Sequence, residues 1–505
     1  MSDVEVVVIG SGIGGLVTAS MLARYGKSVL LCEGHSIPGG AAHGVSRQGF
    51  SFDVGPSFFC GLGDPNSLNP LRQVLDFLEE SIETVVYDPL GRYHFSDGTL
   101  DVYTDLDRYR NSIAEITPQG AREFDRLARR LMTIYEGLRG IPALALRIDW
   151  HALPLLLQHY PLGLLKLVPA LGLSQRTVGE LMDECVTNSW IRRTIDLECF
   201  LLSGLKSYGT IAPEFAFVLG ERDRSSVDYP LGGTASIVQA LVRGLKKWGG
   251  ELRLKTHVEK IWVESGEVRG VRLRNGETIT APVVVSNATI WDTYRRLLEP
   301  TDLPPSYRQE SLALPPLNSF MHLYLGIRAD GLEDLMGHHA VVLDGMLDLT
   351  DPGNTCMVSI PTVWDASLAP EGYHVVHAYT LEPYGDWKLN ANYEERKQDR
   401  SKSLYHALEK IIPDVRDRIE FEMVGTPITH ERFLRRYRGT YGPAIPPIQG
   451  IFPSTHTPIQ GLYRVGDTTL PGIGVPAVAA SGILCANTLV NPQQTVEALE
   501  KLELV

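Results

Sequence analysis

The chain has 505 residues, of which 44% are hydrophobic and 21% charged, with a formal net charge of −13. At about 100–200 residues per domain, that is a multi-lobed globular protein. The acidic excess without any basic tract excludes nucleic acid as a partner. Six scattered cysteines (Cys32, Cys60, Cys185, Cys199, Cys356 and Cys485) form no CxxC pair. Neither a disulfide framework nor a metal site is expected.

The sequence opens MSDVEVVVIG and enters an apolar run at once. No basic and apolar leader precedes it, so no targeting segment is expected. Residues 4–9 read as a fully buried parallel strand. Residues 16–25 have helical apolar spacing and stop at Gly26, and 29–32 read as a second strand. Residues 76–219 read mostly as helix with Pro and Gly interruptions. Strands are expected at 251–256, 258–264, 268–273 and 283–286, joined by Ser265-Gly266 and Asn275-Gly276 turns. Two more are expected at 318–327 and 373–380, and one at 462–465, before an apolar helix at 475–490. The nucleotide-type pieces lie at the beginning, middle and end. The expected fold is an α/β two-lobed protein with a discontinuous Rossmann-type domain from 1–75, 220–300 and 455–505. Residues 76–219 form a helical substrate or membrane region, and 301–454 a substrate domain with mixed sheet.

The turn after the first strand is Gly10-Ser11-Gly12-Ile13-Gly14-Gly15, a GxGxxG fingerprint. Gly10 permits the tight turn, Gly12 lets backbone approach a pyrophosphate, and Gly15 lets helix and sheet pack closely. The helix N-terminus offers N–H groups to phosphate. Glu33 ends the second strand, where a carboxylate takes ribose hydroxyls. Such a carboxylate favours an unphosphorylated ribose, hence FAD or NAD. Three further segments favour FAD: Pro38-Gly39-Gly40, Ser286-Asn287-Ala288, and Gly466-Asp467 followed by Pro471-Gly472-Ile473-Gly474-Val475-Pro476. Each alone also reads as an ordinary turn.

Several stretches carry a resemblance. They are VVVIGSGIGGLV, IPGGAAHG, the run from Gly49 to Ser57, YPLGGTASIVQAL, VVSNATIWDT, GTPITHERFLRRYRGTYGP and VGDTTLPGIGVPAVAASG. Together they resemble the phytoene desaturase-like FAD superfamily, in its carotenoid isomerase branch, over nearly the whole chain. The resemblance implies a two-lobed flavoprotein acting on long polyenes at a membrane surface. It also implies FAD contacts at the glycines of the first turn (with Ile13 among them), Glu33, Val258 and Asp467. The last glycine turn departs from the isomerases in its Ile473 and Pro476, and is closer to their plant and cyanobacterial paralogues.

Residues 141–173 are leucine-rich, with Lys166 the one charge after Asp149. Pro142, Pro154, Pro161 and Pro169 forbid one long helix. Two readings stand: an interfacial element dipping into lipid, with Trp150, His159 and Tyr160 at headgroup level, or a buried hairpin over the substrate lobe. No stretch spans a membrane. Docking is expected at a cytoplasmic-side membrane face, or in a plastid if the source is eukaryotic.

Candidate catalytic groups are His430, Arg432 and Tyr441, from a polar cluster that also holds Arg435, Arg436 and Arg438, together with His43 beside the Pro-Gly-Gly turn. The cluster also reads as a solvated helix or lobe junction, and His43 as a capping histidine. His322 reads as a satisfied core histidine, while Asp196 and Glu198 could face a cavity. The expected activity is FAD-dependent cis–trans isomerisation of a lipophilic polyene such as poly-cis lycopene, using reduced flavin and an acid–base pair. Alternatives are a desaturase or saturase with net redox and a partner such as a quinone, and a carotenoid-binding protein with structural flavin. A soluble amine oxidase is a more distant reading of the same fold.

Overall fold

The computed structural model describes residues 3–55, 57–385, 387–445 and 452–505. The expected substrate domain is thus described apart from 386 and 446–451. Five short strands form a parallel sheet in the order Glu251–Arg253, Val29–Cys32, Val6–Ile9, Val283–Ser286, Leu462–Arg464. Alternate residues of these strands feed two different cores. Val6, Val8, Leu31 and Val285 face a helical layer. Val7, Ile9, Leu30 and Val284 face the small antiparallel sheet of Val258–Glu264, Glu267–Leu273 and Thr278–Thr280. Burial on both sides is why the strands are continuous apolar runs rather than alternating ones.

The helix Ile13–Arg24 packs against Val475–Thr488, although more than 450 residues separate them. The approach leaves no room for a side chain. A Cβ on Gly15 would lie 2.1 Å from the carbonyl oxygen of Gly10, and one on Gly14 would lie 3.0 Å from the backbone nitrogen of Gly466. Glycine is therefore required for contact, not flexibility.

The second lobe is built on a seven-stranded mixed sheet. Its order is Ile419–Gly425, Ser319–Arg328, Tyr373–Glu382, Thr355–Ser359, His338–Val342, Gly91–Phe95, Gly98–Val102. The last two strands lie inside 76–219, where helix was expected. Their burial alternates, with Tyr93, Phe95, Leu100 and Val102 inward. A period of two over five residues is too short to stand out among flanking helical patterns. A third short strand, Thr84–Val86, pairs with Val227–Pro230, and the rest of that segment is mostly helical, including Pro118–Leu138, Ser189–Ser203 and Ala212–Arg224.

Residues 141–173 divide between the two readings. The prolines break the segment into Ala152–His159 and Pro161–Leu171. Leu144, Leu155 and Tyr160 are buried in the core of the nucleotide-type domain, and the Tyr160 hydroxyl donates to the Leu504 carbonyl at 2.8 Å. Asn487 Nδ2 donates to the Leu144 and Leu146 carbonyls at 2.8 and 3.0 Å. The opposite face is open: Trp150 is 79% exposed and Leu162 72%, alongside Leu153, Leu157, Leu165, Val168 and Leu171. Tyr160 is thus an anchor into the protein, not a headgroup-level residue.

One buried carboxylate ties two distant segments of the discontinuous first domain. Asp53 accepts hydrogen bonds from the Tyr229 hydroxyl (2.7 Å), the Thr234 backbone N–H (2.7 Å) and the Thr234 hydroxyl (2.8 Å). It thereby satisfies the first turn of the helix Thr234–Lys247 from outside that helix. Asp53→Ala leaves these donors unpaired and is expected to destabilise the protein by about 3 kcal/mol. The check is the denaturation midpoint in urea.

Candidate functional site

The carboxyl ends of the parallel strands open into a slot, the position where open α/β sheets bind ligands. Its first part is a cavity of about 310 Å³ lined by Gly10, Gly12, Glu33, Gly40, His43, Val258 and Asn287, among others. Glu33 accepts from the Ser11 N–H (2.8 Å), the Ser11 hydroxyl (2.6 Å) and the His35 N–H (2.7 Å). A carboxylate has about four acceptor positions, so Glu33 keeps capacity for a ligand hydroxyl. The side chain holds the glycine turn while facing the slot. A Cβ on Gly12 would come within 2.6 Å of Asn287 Nδ2, which places bare backbone beside the start of the Ile13–Arg24 helix. Cationic side chains, Arg274, Arg435 and Arg436, also line this cavity.

A second cavity of about 260 Å³ shares Gly12, Asn287 and Arg436 with the first. It adds Ile13, Gly39, Gly466, Asp467, Gly474 and Val475. Asp467 is ion-paired with Arg436, whose Nε also donates to the Thr440 carbonyl at 2.7 Å. The helix Val475–Thr488 starts at this cavity, and its first-turn N–H groups have no intrahelical partner. Gly14 and Gly15 lie behind the slot as packing positions. The arrangement fits FAD: a carboxylate at one end, bare backbone and a helix N-terminus in the middle, cations alongside, and a second helix N-terminus at the far end.

A third cavity of about 270 Å³ shares Leu201, Leu202, Met357, Tyr379, Gly474 and Val475 with the second. Most of its lining is apolar, including Phe58, Phe215, Phe217 and Val218. The slot therefore runs from a charged end into an apolar one.

Of the expected catalytic residues, Tyr441 lines the second cavity, and its hydroxyl lies 3.3 Å from His430 Nδ1. His430 is buried one layer behind. Arg432 sits on the exposed face of the helix Pro427–Leu434, over the Phe433 ring, and lines none of the three cavities. Charge and register put it on the solvent side, so the polar cluster splits between surface and interior. His43 borders the Glu33 end rather than the apolar end, with Nδ1 2.7 Å from the Gly40 carbonyl. Asp196 turns to Ser207, accepting from its N–H at 3.0 Å. Glu198 does line the apolar cavity.

Sequence reasoning passed over His322 as a core residue. It lines the second cavity and is stacked among His377, Tyr324 and Tyr379, with His322 Nδ1 2.8 Å from His377 Nε2. His322 lies opposite Tyr379, and His377 opposite Tyr324, so the two histidines meet diagonally across neighbouring antiparallel strands, a contact that only the register of Ser319–Arg328 on Tyr373–Glu382 brings about. Burial pushes the His377 pKa down to about 3, with His430 adding to the shift, and burial together with nearby Arg436 pushes His430 to about 3. These imidazoles stay neutral in the fold and are hydrogen-bonding rather than charged groups at neutral pH. Among the described residues no cluster could hold a metal ion.

The unfolded chain binds protons on these histidines below about pH 6.5, whereas the folded chain does not until near pH 3. Their contribution is therefore complete above pH 6.5 and is lost as pH falls. Each costs on the order of 1.4 kcal/mol per pH unit below 6.5. Thermal melts are expected to show a markedly lower Tm at pH 5.5 than at pH 7.5, with a smaller drop in His377→Asn.

Comparison with known proteins agrees with this geometry. The flavin containing amine oxidoreductase family matches residues 13–490. A chloroplastic prolycopene isomerase of Daucus carota is 35% identical over 495 residues, covering 96% of this chain and 80% of the relative. A neurosporene-forming phytoene desaturase of Cereibacter sphaeroides is 27% identical, covering 95% of this chain and 93% of the relative. In fold, the chain is similar to a crystal structure of an oxidoreductase from Methanosarcina mazei, with a TM-score of 0.63, 19% identity and coverage of 95% and 99%. The cofactor is FAD, and the chain belongs to the flavin-containing amine oxidoreductase family, in its carotenoid isomerase-like branch.

Proposed function

We propose that the protein is an FAD-dependent cis–trans isomerase of a long lipophilic polyene, working at a lipid surface. The observation that carries this reading is the continuity of the slot. The dinucleotide cradle opens, at Gly474 and Val475, into a mostly apolar cavity of about 270 Å³. An apolar chain gains about 25 cal/mol per Å² by leaving water for such a lining. The carrot relative's name supports the polyene class and places that relative in the chloroplast.

In this reading Glu33 takes ribose hydroxyls, the backbone at Gly10, Gly12, Gly39 and Gly40 faces phosphate, and the backbone of Val258 flanks the adenine. Asn287, Gly466, Asp467, Gly474 and Val475 line the remaining length. FAD, when bound, supplies hydride and electron chemistry. Tyr441, Tyr379 and His322 are uncharged titratable groups on the cavity wall at that end, beside the Arg436–Asp467 ion pair. The Tyr441 hydroxyl, backed by neutral His430, can hand over or receive a proton without creating a lasting charge. The apolar lining excludes water while the polyene is held.

A net-redox reaction, with an electron partner such as a quinone, is the second reading. The 27% identity to a phytoene desaturase favours keeping it. Membrane docking rests on the open face of 150–171. Leu162 is 72% exposed, Lys166 is the one charged side chain in Pro161–Leu171, and no helix among the described residues is long and apolar enough to cross a membrane. A patch of this kind, anchored on its other side by Leu155 and Tyr160, suits interfacial insertion.

Anaerobic incubation of the FAD-loaded protein with poly-cis lycopene in liposomes tests the reaction. The expected product has unchanged mass and red-shifted absorption, and forms only after dithionite reduction. A mass change of two hydrogens would instead establish net redox. Glu33→Ala is expected to lose most of the bound flavin during purification, read from absorbance at 450 nm against protein. Replacing Leu157, Leu162 and Leu165 by Ser is expected to move the protein from the liposome pellet to the supernatant, whereas raising the salt concentration leaves wild-type partitioning unchanged.

A further inference from the structure

Besides Arg92, which is held by the partly exposed Asp101, the apolar cavity is lined by one fully buried ion pair. Glu198, on the helix Ser189–Ser203, and Arg222, on the helix Ala212–Arg224, form an ion pair at 3.1 Å with both side chains 5% exposed. Both line the cavity beside Leu201, Leu202, Phe215 and Val218. The pair is lopsided. Glu198 Oε1 accepts from Arg222 Nη1 (3.1 Å), the Tyr109 hydroxyl (3.1 Å) and the Tyr93 hydroxyl (3.4 Å). Glu198 Oε2 has no partner, and neither do Arg222 Nε and Nη2. Buried charges are normally satisfied in full, and a half-satisfied pair costs more than an apolar replacement. Leucines 201 and 202 reach the flavin-side cavity, whereas Glu198 borders only the apolar one, about one helical turn further from the slot.

We propose that Glu198 and Arg222 bind a hydroxyl group at the end of an elongated polyene. The inference rests on the polyene reading above and adds to it a preference, among polyenes, for chains that carry an end hydroxyl. A hydroxyl can donate to Glu198 Oε2 and accept from Arg222 Nη2 at once. A hydrocarbon end leaves both atoms unpaired. A keto oxygen can accept from Arg222 but meets the Glu198 oxygen acceptor to acceptor. The three donors on Oε1 fix the carboxylate in one orientation. Recognition by buried polar atoms discriminates strongly, because the wrong ligand leaves them unpaired.

The test uses β-carotene, zeaxanthin and canthaxanthin, which share a carbon skeleton and carry no oxygen, hydroxyls and keto groups on their end rings. Dissociation constants for the FAD-loaded protein are read from tryptophan quenching. Wild type is expected to bind zeaxanthin at least tenfold more tightly than either of the others. Glu198→Gln keeps an acceptor for Tyr93, Tyr109 and Arg222 but turns the unpaired acceptor into a donor. It is expected to lose the zeaxanthin preference and to favour canthaxanthin. If that variant does not fold, the double variant Glu198→Leu, Arg222→Met removes both charges together and is expected to bind β-carotene at least as tightly as zeaxanthin. Equal binding of all three by wild type, or an unchanged ranking in the variants, would overturn the hydroxyl site while leaving the polyene reading intact. Failure of wild type to bind any of them would overturn both.

Discussion

Everything in this molecule depends on one close approach. The first helix must begin in contact with the ends of two strands and with the turn that precedes the helix Val475–Thr488. A single added methyl at Gly15 would sit 2.1 Å from a backbone oxygen, and one at Gly12 2.6 Å from Asn287. Segments near residues 10, 287 and 466 are thereby brought to one point with only backbone and one amide between them. That point is where the slot is lined by backbone, and a pyrophosphate needs backbone rather than side chains around it.

From that point the slot changes character in a fixed order. Carboxylate and arginines surround one end, helix N-termini the middle, and aromatic and aliphatic side chains the other end. The polar groups nearest the apolar end are neutral ones. His322, His377 and His430 are kept uncharged by burial, and tyrosines stack with them. A lasting charge there would repel an apolar chain; a neutral hydrogen-bonding wall does not. Glu198 and Arg222, which neutralise each other, and Arg92, paired with Asp101, are the exceptions.

The legible part of the sequence was the part whose chemistry is local. The GxGxxG turn, Glu33 at the end of its strand and the Gly466-Asp467 turn each carry their function within a few residues. Fold and cofactor could be read from them, with family resemblance supplying the substrate class. What depended on partners far along the chain was not legible. Asp467 pairs with Arg436 across a lobe boundary, and His322 meets His377 only through strand register. In the leucine-rich segment, neighbours such as Leu155 and Leu157 have opposite fates: one is 5% exposed and the other 57%. Identical side chains two positions apart carry no sign of which faces the core. The hairpin Gly91–Phe95 and Gly98–Val102 was missed because its alternation spans too few residues.

The order of the chain has a consequence for how the protein is made. The central strand of the parallel sheet, Val6–Ile9, is synthesised more than 450 residues before Leu462–Arg464 and the helix Val475–Thr488. At roughly 5–20 residues per second, the interval is on the order of tens of seconds. Throughout it, the buried face of Ile13–Arg24 and the edge of Val283–Ser286 lack their covers. Until they are made, the chain is an incomplete fold with an exposed edge, and the slot lacks the wall that Gly466, Asp467, Gly474 and Val475 supply. Chaperone protection during translation follows from the topology alone.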